Sequence, residues 1–504
     1  MKTKLYIPIL AGTLMFSGCS KDFLQKEPTE FATKQQIDEA SKKRPEIQAG
    51  TLRGLYSLMY TAFSGGTDNH TDFGHKGNDV FSDMISGDMI LAGYTYGWYQ
   101  DVVEYQATTD YTYNADYQPW RFYFKIVRGA NTVIDGLGGN DATLETDEDK
   151  YNMGQAKAMR AFAYFYLANL YGEGYQPSEP LLPLYTELVE AQPLSTGQEV
   201  YDQIISDLTD AVDLLEGFNR TTKTQINQDV AKGLLAYAYA ATGQYDQVQP
   251  LTSDIINAGG YSLMDSDQAM GGFNDVNTSG WMWGVDLTLD YGLDLVSWWG
   301  QIDIFTYSYA WAGDPKVINS DLYEAIPDND VRKSQFLDLE GTGTDAVLYP
   351  ANKFYDPARE IGGQRDVTTD YVYMRVAEMY LLNAEAAAHN GDEATAQASL
   401  KALMSQRLID NDEDNDPDTI DLTDDLAYID SLTGQALLDE IYLQTRIELW
   451  GEGKSYLALE RNKATITLPP NHKSLPGESF PYDADELTFD IPQNEIQNNP
   501  NISQ

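Results

Sequence analysis

Apolar residues recur every three to four positions through much of this chain, the period of a helix with one buried face. Trp120 to Ile134 shows it best, with Trp120, Tyr123, Phe124, Val127 and Ile134 on one stripe. The same period predicts helices over 152–171, 199–216, 228–242, 245–257, 369–389, 393–408, 435–450 and 454–461. Turn residues separate several of them into hairpins: Thr242-Gly243-Gln244, Asn390-Gly391-Asp392 and Gly451-Glu452-Gly453. Residues 61–114 and 259–368 read differently, being rich in Gly, Asp, Tyr and Trp with no long helical period. The expected fold is mostly α, with helical scaffold blocks 115–258 and 369–462 carrying these two irregular insertions. Long structured loops on a rigid scaffold are where binding sites usually sit.

Three helices share an offset. Phe165/Ala168 precede Gly172, Ala236/Tyr239 precede Gly243, and Ala384/Ala387 precede Gly391. Small residues there let a second helix cross closely. The spacing is similar to a degenerate tetratricopeptide repeat, although generic helical-hairpin packing fits the offset equally.

Charge narrows the ligand. Lys+Arg number 33 and Asp+Glu 78, a formal net charge of −45 over 504 residues. Nucleic-acid binding is disfavoured, because phosphates need clustered cations. Basic docking on an anionic membrane is disfavoured for the same reason. The aromatic content, with 35 Tyr, 17 Phe and 8 Trp, suits a neutral ligand that stacks on rings, such as carbohydrate.

The N-terminus suggests location. Lys2 and Lys4, the apolar run Leu5 to Phe16, and Ser17-Gly18 before the single cysteine, Cys19, read as a secretory signal. The Phe-Ser-Gly-Cys ending resembles a bacterial lipobox, in which Cys19 becomes the acylated first residue; an ordinary signal peptide with a chance cysteine is the alternative. The expected division is a signal peptide over 1–18, a lipid-anchored leader over 19–50, and one domain over 51–504. Membrane contact is then expected through the lipid anchor only.

Further along the chain stand Arg128-Gly129-Ala130-Asn131, Ala156 to Ala161 leading to Tyr171-Gly172, and Asp330-Val331-Arg332-Lys333. Tyr373 to Tyr380, Ala384-Glu385-Ala386, Arg446 to Gly453, Leu459-Glu460-Arg461, and Ile491 to Ile496 with Asn499-Pro500 complete the set. Together, in this order behind the lipobox, these stretches resemble the SusD/RagB family of outer-membrane nutrient-binding lipoproteins. The resemblance implies tetratricopeptide-like helix pairs packed against a loop-rich region that holds the ligand. It also implies a SusC-like TonB-dependent transporter as partner, with the protein at the cell surface. Ser20-Lys21-Asp22 is a poor version of the acidic run that often directs surface display in the family.

Two clusters offer the rings and polar groups that a sugar needs. One is Asn78, Asp79, Asp83 and Asp88 with Tyr94, Tyr96, Trp98 and Tyr99. The other holds Trp281, Trp283, Trp298, Trp299, Tyr307, Tyr309 and Trp311 among acidic and amide residues. Trp98, Trp299 and Trp311 are the leading stacking candidates, with Tyr96, Tyr309, Trp283 and Trp298 in support. Asp79 and Asp83 are candidates to bond hydroxyls. Core packing is the competing reading for each ring.

Catalytic and metal signals are weak. Asp410, Asp412, Asp414 and Asp421 partly mimic a calcium loop, with Asn415 where the motif has Gly. A solvated acidic loop is the better reading, and no cofactor is expected. His70 and His75 beside Asp72 and Asp79 form no zinc motif, and no nucleophile elbow or phosphate loop appears. The leading expectation is non-catalytic capture of oligosaccharides. Capture of peptides, glycoside hydrolysis through two of the many carboxylates, and a purely structural lid remain as rivals.

Overall fold

The computed structural model of the chain describes residues 45–339, 347–410 and 421–502. Cys19 and most of the expected leader lie outside them. The described fold starts with helix α1, Pro45–Leu58, then α2, His75–Ile85, and a short strand β1, Met89–Leu91. The scaffold begins with α3, Asn114–Gly136, and α4, Asp147–Leu170, followed by α5, Gly197–Leu214, α6, Gln228–Ala241, and α7, Tyr245–Ala258. After strands β2, Trp281–Val285, and β3, Lys316–Ile318, come β4, Tyr371–Arg375, and α8, Val376–His389. Helices α9, Glu393–Met404, α10, Gly434–Glu448, and α11, Ser455–Arg461, complete the helical part.

Each scaffold helix packs on the next, α3 on α4 through to α7, and α7 packs on α8. This is the stacked-hairpin arrangement expected from the apolar period. Thr196 opens α5 with a capping box, its hydroxyl accepting the Glu199 N–H while Glu199 accepts the Thr196 N–H. Gly243 and Gly391 follow α6 and α8 at φ +74° and +76°, a conformation that favours glycine. One large core runs from α1 through α11, with Trp281, Trp283, Trp299 and Trp450 fully enclosed. Among the described residues no helix is long and apolar enough to cross a membrane.

Two local expectations need correction. Residues 369–389 are not one helix, because Tyr371–Arg375 pairs antiparallel with Trp281–Val285 and the helix starts only at Val376. Glu378 accepts the Arg375 N–H at 2.6 Å, which fixes that start. Arg375 is then locked by Glu452 at 2.7 Å and Glu448 at 2.9 Å. Burial pushes the Glu448 carboxyl up, but Arg407, Arg375 and Arg332 win and hold it well below the usual range. Second, residues 61–114 are not irregular throughout: α2 lies within them and is buried along its whole length.

One strand pair positions the loops that matter. β1 pairs antiparallel with β3, with Leu91 opposite Lys316, and the Ala92 N–H continues the ladder to the Pro315 carbonyl at 2.8 Å. The chain leaving β1 therefore runs alongside the chain entering β3.

Candidate functional site

That pairing sets residues 95–97 against Asp314. The Asp314 carboxylate accepts the backbone N–H groups of Thr95 at 2.5 Å, Tyr96 at 3.0 Å and Gly97 at 2.9 Å. A carboxylate accepting several N–H groups fixes a turn firmly, and here it projects Tyr96 and Trp98 outward. Loop 63–72 approaches from the other side and is tied by Asp72. Its carboxylate accepts from Gly65 N–H at 2.7 Å, Thr67 N–H at 3.0 Å and the Thr67 hydroxyl at 2.9 Å. The His70 carbonyl is held by Gln301 Nε2 at 2.7 Å, and Gln301 in turn accepts from buried Lys316 at 2.8 Å. Burial brings the Lys316 ammonium down to about 7.

The result is a cluster of rings at the surface. His70 stacks on Trp98 with centroids 5.0 Å apart and planes 5° from parallel. Tyr309 stands edge-on to both, at 5.8 Å from His70 and 6.1 Å from Trp98, and its hydroxyl meets His70 Nδ1 at 2.6 Å. Tyr96 packs edge-on to Tyr309 at 5.2 Å and is 60% exposed. His70 and Trp98 are half-buried. Next to Trp98 a cavity of about 350 Å³ is lined by Asn69, Thr71, Gln100, Asp101 and Gln106. Burial raises the Asp101 carboxyl above its usual range. Rings with an open face beside amide and carboxyl groups can stack on a sugar and bond its hydroxyls.

Trp311 lies two residues beyond Tyr309, is 46% exposed, and packs on Tyr307 at 5.5 Å. Arg365 covers the Tyr307 ring at 3.9 Å. Gly362 lies against the indole, where an added Cβ would come within 3.0 Å of the ring.

A family profile described as "Starch-binding associating with outer membrane" matches residues 66–240, and one described as "SusD family" matches residues 304–504. The chain belongs to the SusD/RagB family. Among curated proteins it is similar to a SusD-like protein of Bacteroides ovatus, 25% identical over 280 residues, which is 52% of this chain and 46% of the relative. SusD-like protein P2 of Formosa agariphila is 26% identical over 297 residues, 53% of this chain and 57% of the relative. The chain thus spans about half the length of the curated relatives it matches. A solved SusD-like carbohydrate binding protein of Bacteroides vulgatus superposes with a TM-score of 0.75 at 24% identity, covering 91% of this chain and 97% of that one. Surface glycan-binding protein A of Bacteroides uniformis gives 0.64 at 17% identity, covering 92% and 99%. At these identities the structural likeness establishes the SusD fold.

Within this SusD-family chain, the site residues expected from sequence divide cleanly. Tyr96, Trp98 and Tyr309 come together, with Trp311 on the adjoining turn. Trp283, Trp298 and Trp299 do not join them: all three are core residues that offer no surface to a ligand. Trp283 donates to the Thr224 carbonyl at 2.9 Å and meets Phe162 edge-on, while Trp298 packs across Phe354 at 4.6 Å. Asp79 and Asp83 are corrected likewise. Both lie on buried α2, Asp79 bonded to Lys76 at 2.8 Å and Asp83 accepting the Gly453 N–H at 3.1 Å. Burial pushes the Asp83 carboxyl well above its usual range.

Reading from sequence missed His70 as a ring of the cluster, as well as the amides Asn69, Gln100 and Gln106. The structure separates His70 from His75, whose ring is enclosed by Tyr123, Phe162, Tyr166 and Tyr373. Among the described residues no group of three or more His, Cys, Asp or Glu is placed to hold a metal. Of the calcium-loop residues, Asp412 and Asp414 lie outside the described residues, and Asp410 accepts the Asp421 N–H at 2.9 Å.

Proposed function

We propose that this protein captures oligosaccharides at the cell surface, without cleaving them, and passes them to a SusC-like TonB-dependent transporter. The observation that carries the reading is the clamped ring cluster of His70, Tyr96, Trp98 and Tyr309 beside an amide-lined cavity. A soluble sugar covers such rings with its C–H faces, and the amides set its orientation. The printed names of its structural relatives, a carbohydrate binding protein and a glycan-binding protein, support the same reading. So does the family description that places the fold at the outer membrane. The Asp314 carboxylate at the cluster is committed to backbone N–H groups, which favours holding a turn over acid–base chemistry. Affinity is expected to be modest, because each sugar hydroxyl exchanges water for protein at small net gain.

The test is a panel of soluble polysaccharides and their oligosaccharides, screened by affinity electrophoresis and then by calorimetry, with reducing ends assayed in parallel. Retention of a glycan with no new reducing ends supports capture. New reducing ends would replace the reading by hydrolysis, and silence across the panel alongside retention of peptides would replace the ligand class.

A further inference from the structure

A larger cavity, about 850 Å³, lies between α3, residues 185–191 and residues 494–499, and shares no lining residue with the cavity beside Trp98. This volume is within the range of sites for small ligands. Its wall is aromatic: Phe124 meets Trp120 at 4.8 Å and stands edge-on to Tyr185 at 5.8 Å. The opposite side is pinned in place, since Asn131 Nδ2 donates to the carbonyls of Tyr185 and Glu187 and Asn499 Nδ2 to that of Gln192.

The charge on this wall runs against the composition. Helix α3 sets Arg121, Lys125 and Arg128 along one face, four and three residues apart. Carboxylates outnumber cations in the chain by 78 to 33, yet among the described residues none of these three cations is ion-paired. Arg121 donates to the Tyr117 hydroxyl at 2.7 Å, Lys125 donates to the Ser64 carbonyl, and the Arg128 guanidinium meets no partner among the described residues. Burial, and after it the charge of Arg121, lowers the Lys125 ammonium from its usual range. Three acids line the cavity: Glu187 and Glu190 are exposed, and half-buried Glu495 is already engaged, accepting from Trp120 Nε1 at 3.3 Å and Asn499 Nδ2 at 2.8 Å. An anion entering here is drawn to the α3 side and relieves the repulsion among its cations.

We propose that this cavity binds an acidic saccharide, its carboxylate or sulfate ester against Arg121, Lys125 and Arg128 and its rings along Phe124 and Tyr185. The guanidinium fork matches either oxyanion with two parallel hydrogen bonds. The site does not depend on the cluster at Trp98, so it stands or falls separately from capture there.

The test is calorimetry on the purified protein with tetragalacturonate, its fully methyl-esterified form, and a sulfated tetrasaccharide. One or both anionic probes should bind. If the carboxylate probe is the one, esterification should weaken it roughly tenfold or more, the effect of losing charge-assisted hydrogen bonds. Arg128→Gln, at an exposed position, should weaken the bound anion by a similar factor without changing the melting temperature, and Arg121→Gln should add to it. Tyr96→Ala should leave that affinity unchanged. Preference for the sulfated probe would identify a sulfate ester as the group bound. The proposal is overturned if neither anion binds, if the ester binds as well as the acid, or if the double variant Arg121→Gln/Arg128→Gln keeps full affinity.

Discussion

Replacing Tyr96 by Ala isolates the contribution of one ring to capture. The ring is 60% exposed and touches the protein mainly through its edge contact with Tyr309 at 5.2 Å. Its backbone N–H, accepted by Asp314, is untouched by the substitution, so the turn survives. Losing one edge-to-face contact costs about 0.5–1 kcal/mol of stability, which for a chain this long moves the melting temperature by about 2 °C or less. Binding suffers more. A sugar ring lying on the open face removes roughly 60–80 Å² of apolar surface from water, worth about 1.5–2 kcal/mol at ~25 cal/mol per Å². That is a rise in Kd of roughly 10- to 30-fold. The assay pairs a thermal melt with calorimetry on an oligosaccharide that the wild type retains. An unchanged Kd in both Tyr96→Ala and Trp98→Ala would refute the assignment of the ring cluster as the sugar platform.

Other substitutions separate core from site. Trp299→Ala removes a fully buried ring set at right angles to Trp298 and should cost about 3–5 kcal/mol of stability. A denaturant melt checks this, and a fully stable variant that only loses ligand would contradict it. Asp314→Ala leaves the N–H groups of residues 95–97 without their acceptor and should weaken sugar binding about tenfold, read by calorimetry. Asp116 is buried with neither carboxylate oxygen hydrogen-bonded among the described residues, and burial lifts its carboxyl to about 10. The native state therefore keeps a proton that the unfolded chain has lost above pH ~4, and this group makes the protein less stable as pH rises towards 10. Asp116→Asn removes that dependence. Between pH 5 and 8 the variant should gain up to about 4 kcal/mol on the wild type, at ~1.36 kcal/mol per pH unit, and parallel stability curves for the two proteins would contradict it.

The helices were readable where a single amphipathic period ran between good punctuation, as in Gln228–Ala241 with Gly243 behind it. Strand Tyr371–Arg375 was not, because its pairing partner Trp281–Val285 lies far away in the chain and the strand runs directly into a helix. Helix α2 escaped for a different reason. His75, Lys76, Asn78, Asp79 and Asp83 are polar yet face the interior, so a reading that equates polar with exposed places them in a loop. The same limit governs the rings. Tyr96 and Trp299 sit in similar Gly- and aromatic-rich stretches, and only the pairing of β1 with β3 decides that one is presented and the other enclosed. His70 carried no local signal at all, since its place in the cluster depends on Trp98 and Tyr309 from two other segments.

The most direct measurement is a crystal structure of the protein with a retained oligosaccharide. Sugar rings lying on Tyr96 and Trp98, with hydroxyls bonded in the cavity of Asn69, Gln100 and Gln106, are the predicted result. A saccharide bound elsewhere, with those rings bare, would contradict the assignment of this site.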